Sequence, residues 1–404
     1  MIKRSDFPIL QKKIKGHQML YFDNAATTQK PEAVIKAMNN FYLHSNSNVH
    51  RSLNPLAEEA TKLYEDARGV VANFISASRE EIIFTRGTTE GINLIARTWG
   101  ESNLKKGDIV VLCITEHHSN IVPWLQLKEK LGIKLAYLPL KINGDLDLVS
   151  AKKILSRPRV KLLTLTQASN VLGILNPIKT LITLAHSKNI ITIIDAAQSI
   201  AHVPVNVHSL NCDFLVFSSH KIYGPTGIGV LYGRKSLLEK MPPFLGGGDM
   251  IRSVYQDHFI NNDLPYKFEA GTPAIAEAIG LAVAINYLKK LGWKNINKQE
   301  NKLTDYFLKK ITPLKFIHVL GLPKLKNEKL VVFSLIIEGL HPHDAADLLG
   351  QEGIVLRAGN HCAQPLHEFF NISASLRVSL SFYNTTKEID IFIKKLNNLY
   401  QAWK

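Results

Sequence analysis

Lys221 closes the stretch Cys212-Asp213-Phe214-Leu215-Val216-Phe217-Ser218-Ser219-His220-Lys221, in which an apolar run of strand length gives way to two serines, a histidine and a lysine. A similar run, Ile190-Ile191-Thr192-Ile193-Ile194, stops at Asp195. Ligands of an open parallel α/β sheet sit beyond the carboxyl ends of its strands, so two consecutive strands bring an amine and a carboxylate to one edge. That pair suits pyridoxal phosphate: the lysine forms the Schiff base, and the aspartate keeps the pyridinium nitrogen protonated so that the ring can accept electrons. Arg357-Ala358-Gly359-Asn360-His361-Cys362 supplies a thiol where few folds need one. Taken singly, a lysine past a strand is usually a solvated charge and an aspartate there usually caps the next helix. The weight comes from the number of features that agree.

Thr85-Arg86-Gly87-Thr88-Thr89-Glu90-Gly91 joins a strand to a helix, where backbone N–H groups beside glycine and threonine make a phosphate cup. Gly224-Pro225-Thr226-Gly227-Ile228-Gly229 lacks the context of a dinucleotide site. Glu116-His117-His118-Ser119-Asn120 follows a buried strand at the same sheet edge. Its adjacent histidines lack the i, i+4 spacing of a helical zinc pair, and no third ligand accompanies them, so no metal is expected. An imidazole stacked on a flat cofactor ring fits His117 better. Asn170, after the strand ending at Thr166, and Gln198, one turn past Asp195, are placed to hydrogen-bond the ring oxygen. Ser218 and His220 flank the lysine within reach of a phosphate.

These residues need a sheet to carry them. From about 60 to 235 the chain alternates helical and strand patterns: helices over 63–75, 89–99, 121–131 and 181–188, strands over 81–85, 109–114, 134–138 and 162–166, then the two strands that end at Asp195 and Lys221. Near-continuous apolar strands in β/α alternation imply a mostly parallel sheet covered on both faces. Past Gly246-Gly247-Gly248 the pattern becomes α+β: a loop-rich stretch to Pro273, a helix over 275–291, strands over 331–337 and 374–380, and helices over 343–350 and 387–399. The expected division is a large cofactor-binding domain over 26–265 and a small α+β domain formed by 1–25 and 266–404.

The 404 residues are 46% hydrophobic and 21% charged, an ordinary globular balance with ample material for a core. No apolar run approaches the roughly 20 residues of a membrane span, and the basic N-terminus lacks the apolar core of a secretory signal. Three cysteines, Cys113, Cys212 and Cys362, cannot make a disulfide framework, and a loop thiol fits a reducing compartment, so a cytoplasmic protein is expected. The net charge of +15 comes from lysines scattered in pairs along exposed helix faces, without interleaved aromatics. That favours a solvated surface over nucleic-acid binding.

With Tyr21-Phe22-Asp23-Asn24-Ala25-Ala26, Ile194-Asp195-Ala196-Ala197-Gln198 and Ser219-His220-Lys221-Ile222-Tyr223-Gly224-Pro225, these segments resemble the fold type I pyridoxal phosphate enzymes of the aminotransferase class V family, and among them look like cysteine desulfurases. The short cysteine segment and the insertion over 246–272 look like the group II, Suf-type branch. The resemblance covers essentially the whole chain. It implies that Lys221 holds the cofactor and later moves the Cα proton, that Asp195 pairs with the pyridine nitrogen, that His117 stacks on the ring, and that Gln198 and Asn170 attend its oxygen. Thr88, Thr89, Ser218 and His220 would hold the phosphate, with Thr272 from the other subunit of a homodimer. Arg377, with Arg357 and Asn170, would bind the substrate carboxylate, which a guanidinium fork suits. Cys362 would take the sulfur of L-cysteine as a persulfide, releasing alanine, with His361 or His117 assisting its deprotonation. The implied partner is a protein sulfur acceptor (SufE-like or SufU-like) in iron–sulfur cluster assembly, and selenocysteine lyase is the alternative activity. Two positions depart from the branch's pattern: Asn54, where a His-Arg-x-x-His stretch has its second histidine, and Asn360, where a histidine commonly precedes His361. A non-catalytic scaffold or nucleic-acid-binding protein of this fold is the rival reading, but such a protein has no need of Lys221, Asp195, Cys362 and Arg377 together.

Overall fold

The computed structural model describes residues 3–50, 53–323 and 329–404. Residues 1–2 of the N-terminal segment, and Arg51 and Ser52 of the stretch ending at Asn54, lie outside the described residues.

The centre is a seven-stranded sheet of β1 (Ile82–Thr85), β2 (Ile109–Cys113), β3 (Lys134–Leu138), β4 (Val160–Thr166), β5 (Ile191–Asp195), β6 (Phe214–Ser218) and β7 (Gly229–Gly233), in the order β3-β2-β4-β5-β6-β7-β1. The block from β3 to β6 is parallel throughout. β7 runs antiparallel to both of its neighbours. Alternate residues go to opposite faces, as the period of two requires. In β6, Leu215 and Phe217 enter one core while Phe214 and Val216 enter the other. Both faces are apolar because helices cover both, which explains the continuous hydrophobic runs.

The chain therefore has an α/β fold with a large, mostly parallel sheet covered by helices. β7 gives little sequence signal because glycine at both ends leaves only Val230, Leu231 and Tyr232 as its apolar run. Gly229 has a steric reason: a Cβ there would lie 2.4 Å from Gly87 Cα and 2.7 Å from the Phe217 carbonyl oxygen. β7 can pass the β1–helix turn only without a side chain at that point.

Helix α1 (Glu32–His44) and α2 (Pro55–Ile75) pack against the long α4 (Ile275–Leu291), while α3 (Thr88–Ile95) starts from the turn after β1. Asn54 is the N-cap of α2, its side chain accepting the Ala57 N–H at 2.9 Å. The expected helix over 89–99 keeps regular geometry only to Ile95 and continues as a wider turn, Ala96–Gly100.

A second, antiparallel sheet has the order β8-β9-β11-β10, formed by β8 (Ile317–Val319), β9 (Val332–Ile337), β10 (Arg357–Gly359) and β11 (Ser375–Ser379). Its core holds Phe307, Phe333, Leu376 and Phe392 together with Leu20 and Phe22 from the N-terminal segment. Leu20–Tyr21 pairs in parallel with Ile354–Val355.

Two elements here were not visible as patterns. The hairpin Ile251–Val254/Phe259–Asn261 lies in the stretch expected to be loop, and its strands are too exposed to carry an alternating signal. The helix Trp293–Ile311 is rich in lysine and asparagine, and its buried stripe is interrupted by Glu300 and Thr304.

Arg68, fully buried in α2, ties several elements together. Its Nη1 donates to Glu269 Oε1 at 2.7 Å and to the Ile82 carbonyl at 2.9 Å, its Nη2 to Glu269 Oε2 at 2.9 Å, and its Nε to Glu65 Oε2 at 3.0 Å. Glu269 also accepts from Tyr64 Oη at 2.9 Å and the Phe84 N–H at 2.7 Å. Breaking a buried pair from one side leaves an uncompensated charge, at a cost of about 3–5 kcal/mol. Arg68→Met and Glu269→Gln should each lower unfolding stability by about that much, and the double variant by clearly less than the sum. Denaturant midpoints check this; single-variant shifts no larger than those of surface substitutions would contradict it.

Candidate active site

Register sets the site's base. β4 and β5 pair Thr166 with Asp195, and β5 and β6 pair Asp195 with Val216, so the carboxyl ends of three strands lie side by side. β6 ends at Ser218, and a tight turn, Ser219–Lys221, swings the lysine back over that edge. A cavity of about 260 Å³ opens there, lined by Thr88, Thr89, His117, Asn170, Asp195, Gln198, Ser218, His220, Lys221, Arg357, His361, Cys362 and Arg377, with Ala25, Ala26 and Ser119 among the rest. Of the residues expected at the site, only Thr272 is elsewhere. It is exposed and lines a separate cavity of about 650 Å³ with Tyr42, Phe84, Arg86 and Leu245.

At the cup end, the Thr88 N–H donates to Ser218 Oγ at 2.9 Å, and the Thr88 and Ser218 hydroxyls are also 2.9 Å apart. Asp195 is buried, which raises its pKa, and its Oδ1 accepts the Ala197 N–H at 2.8 Å. Removal from bulk water pushes the Lys221 amine below its usual range, partly opposed by Asp195. Both shifts favour uncharged groups, and a cation placed over Asp195 would return it to the carboxylate form.

His117 is pushed down to about 3, first by burial and then by Lys221. The Ser119 N–H donates to its Nδ1 at 3.2 Å, so the proton of this neutral ring sits on Nε2. His361 is pushed down to about 2 by burial and by Arg377, and its Nε2 lies 3.2 Å from the Ser375 carbonyl. The Gln198 Oε1 is buried and has no hydrogen-bond partner among the described residues.

Arg377 sits in β11 with only 2% of its surface exposed. Its Nη2 donates to Asp23 Oδ1 at 3.0 Å and its Nη1 to the Asn170 carbonyl at 3.2 Å, while Nε is buried with no partner among the described residues. Arg357 Nε donates to Asp23 Oδ2 at 3.1 Å. Asp23 therefore holds both guanidinium groups, a role that no local pattern reveals because the partners lie far apart in sequence.

Glu116 also went unassigned. Buried behind the cavity, it accepts the Thr166 N–H at 2.8 Å and Asn120 Nδ2 at 2.6 Å, and burial pushes it up to about 8. Asn120 in turn accepts from Thr164 Oγ1 at 2.6 Å and from Trp124 Nε1 at 3.2 Å. This network braces the end of β2 against the end of β4. Cys362 is exposed on the loop after β10, whereas Cys113 and Cys212 are buried, with thiols pushed up to about 12.

Residues 20–392 match the family model described as aminotransferase class-V. The chain is 46% identical to a probable cysteine desulfurase from Synechocystis sp., over 97% of this chain and 94% of that protein. It is similar to a cysteine desulfurase structure from Thermococcus onnurineus NA1, with a TM-score of 0.94 and 38% identity over 99% of this chain and 97% of that one. A cysteine desulfurase structure from Escherichia coli aligns with a TM-score of 0.90 and 37% identity, over 99% of this chain and 98% of that one. The chain belongs to the aminotransferase class-V family.

Proposed function

We propose that this chain is a pyridoxal phosphate-dependent L-cysteine desulfurase that stores the released sulfur on Cys362 for transfer to an acceptor in iron–sulfur cluster assembly. The observation that carries the reading is one cavity lined by a lysine whose positive charge burial disfavours, a buried carboxylate, a buried guanidinium with a spare N–H, and an exposed thiol.

The lining fits pyridoxal phosphate. Lys221 offers an amine, Asp195 a buried carboxyl group, and Gln198 a buried amide whose oxygen has no partner among the described residues. Thr88, Thr89, Ser218 and His220 surround the start of α3, where backbone N–H groups favour an anion. When bound, the cofactor supplies an electron sink for the substrate carbons. Lys221 would hold it and shuttle the Cα proton, and His117 would lie against its ring. Asn170 would attend the ring oxygen while its Nδ2 donates to the His361 carbonyl at 2.8 Å. Arg377, kept in place by Asp23, would meet the substrate carboxylate with its guanidinium, with Arg357 at the entrance. The Cys362 thiolate attacks the substrate sulfur. The Cβ–S bond breaks, an S–S bond forms as a persulfide, and the electron pair left on carbon takes up a proton as alanine departs.

We further propose a homodimer in which Thr272 of a second copy completes the phosphate cup. Its support is the separate cavity around Thr272, whose lining includes Tyr42, 57% exposed, and Leu245, 45% exposed. We propose two domains, 26–265 and 1–25 with 266–404; the separate core around the second sheet supports the smaller one from Leu303 onward, whereas Phe7, Leu10 and α4 pack into the core of the central sheet. Among the described residues no helix is long and apolar enough to cross a membrane, and the exposed free thiol supports a cytoplasmic setting.

Borohydride reduction followed by peptide mapping should place a pyridoxyl adduct on Lys221, and Lys221→Ala should lose it. An adduct on another lysine would overturn the assignment. Cys362→Ser should keep the cofactor and bind cysteine yet yield neither alanine nor persulfide, because a hydroxyl is a far weaker nucleophile. Cys113→Ser and Cys212→Ser should remain active.

Only residues 360–363 separate β10 from the helix Gln364–Phe369, so a persulfide on Cys362 cannot travel far and its acceptor must reach in. Turnover with cysteine alone should be slow, and a protein acceptor with an exposed cysteine should raise it severalfold. With a net charge of +15, the chain favours an acidic acceptor, so the stimulation should fall as salt rises. Titrating an acceptor at low and high ionic strength while following alanine tests both points. Full turnover that an acceptor leaves unchanged would refute the restrained persulfide, and salt-independent stimulation would refute the steering.

A further inference from the structure

The backbone around the thiol is unusual. His361 and Cys362 have φ values of 52° and 57°, two successive non-glycine residues in the left-handed region. Side chains avoid that region because Cβ crowds the following carbonyl, so it is occupied mainly where the surroundings impose it. Here three groups outside the pair do so. Asn360 Oδ1 accepts the Cys362 N–H at 3.0 Å. The His118 N–H donates to the Cys362 carbonyl at 2.7 Å. Asn170 Nδ2 donates to the His361 carbonyl at 2.8 Å. The thiol-bearing residue thus has both of its backbone polar groups taken, and its N–H is held by the side chain at the position that departs from the family pattern.

We propose that Asn360 is a positioning residue for Cys362: its side-chain oxygen holds the nucleophile's backbone in the left-handed turn that points the thiol into the cavity. The requirement is for an acceptor two residues before the held N–H, and not for an amide as such. The chain makes the same local bond with imidazole, since His117 Nδ1 accepts the Ser119 N–H at 3.2 Å and His341 Nδ1 the His343 N–H at 3.3 Å. A histidine at 360 can therefore supply the same contact. Asn360 need not touch substrate, and its effect belongs to the step in which the thiolate attacks sulfur.

The inference rests on Cys362 being the nucleophile. Its test uses the complete cofactor-loaded protein and reads the rate of first-turnover alanine release, which precedes persulfide removal, beside the cofactor spectrum, the KM for cysteine and the thermal midpoint. Asn360→Ala should slow the first turnover by about five- to tenfold, the population effect of losing one net hydrogen bond, with spectrum, KM and midpoint near those of the parent. Asn360→Ser and Asn360→His should recover most of the rate, because each restores an acceptor. A parental rate in Asn360→Ala, or equal losses in the Ala, Ser and His variants, would overturn the proposal. Alanine release by Cys362→Ser would instead overturn the underlying assignment of the nucleophile, so the two failures are distinguishable.

Discussion

The parallel register of β4, β5 and β6 is the constraint on which the rest depends. Strand pairing puts Thr166, Asp195 and Val216 level with one another, so Ser218, the tight turn and Lys221 emerge beside the Asp195 carboxylate. A slip of one residue in β5 would turn Asp195 to the opposite face and into an apolar core. Such a slip is resisted by every Val, Ile, Leu and Phe of those strands, since each has its own core on its own face. The chemical groups are held by hydrophobic packing that contains no chemistry itself.

Above that base, the site works by keeping charges few and committed. Burial disfavours charge on Lys221, Asp195, His117 and His361 alike. Arg377 stays buried because Asp23 answers its charge. That pairing also links the two sheets: Asp23 follows the segment paired with Ile354–Val355, and Asn170, in the loop after β4 of the central sheet, reaches both Arg377 and the cysteine loop. The cysteine loop and the loop after β4 are thereby in direct contact, although they come from distant parts of the chain.

Much of this was legible in the sequence, for a physical reason. Buried parallel strands are apolar along their whole length, so the strand ends, where Asp195 and Lys221 stand, show as sharp changes of composition. The cup at Thr88, the stretch at His117 and the cysteine loop follow the same rule of function at the strand ends. What stayed hidden lacked such contrast. β7 is framed by glycine, the hairpin at 251–261 has no fully buried residue on either strand, and the helix at 293–311 shows a mostly polar surface. Asp23 and Glu116 were quoted as parts of segments without a role, because their roles consist of contacts with Arg377 and Thr166, which only folding creates. Asn54 and Asn360 stood out as exceptions to a pattern, and the structure shows each accepting a nearby backbone N–H.

The contact between Gly229 and Gly87 shapes how such a protein can diverge. A methyl group at 229 would strike the Gly87 backbone, and one at 87 would lie 3.2 Å from Ser218 Oγ. At 87 the neighbour is a side-chain hydroxyl that has to give way slightly, whereas at 229 nothing can shift to make room, because the obstacle is main chain. Side chains lining the cavity can be exchanged without disturbing this contact, while the cup that would seat the anionic end of a cofactor is set by main chain against main chain.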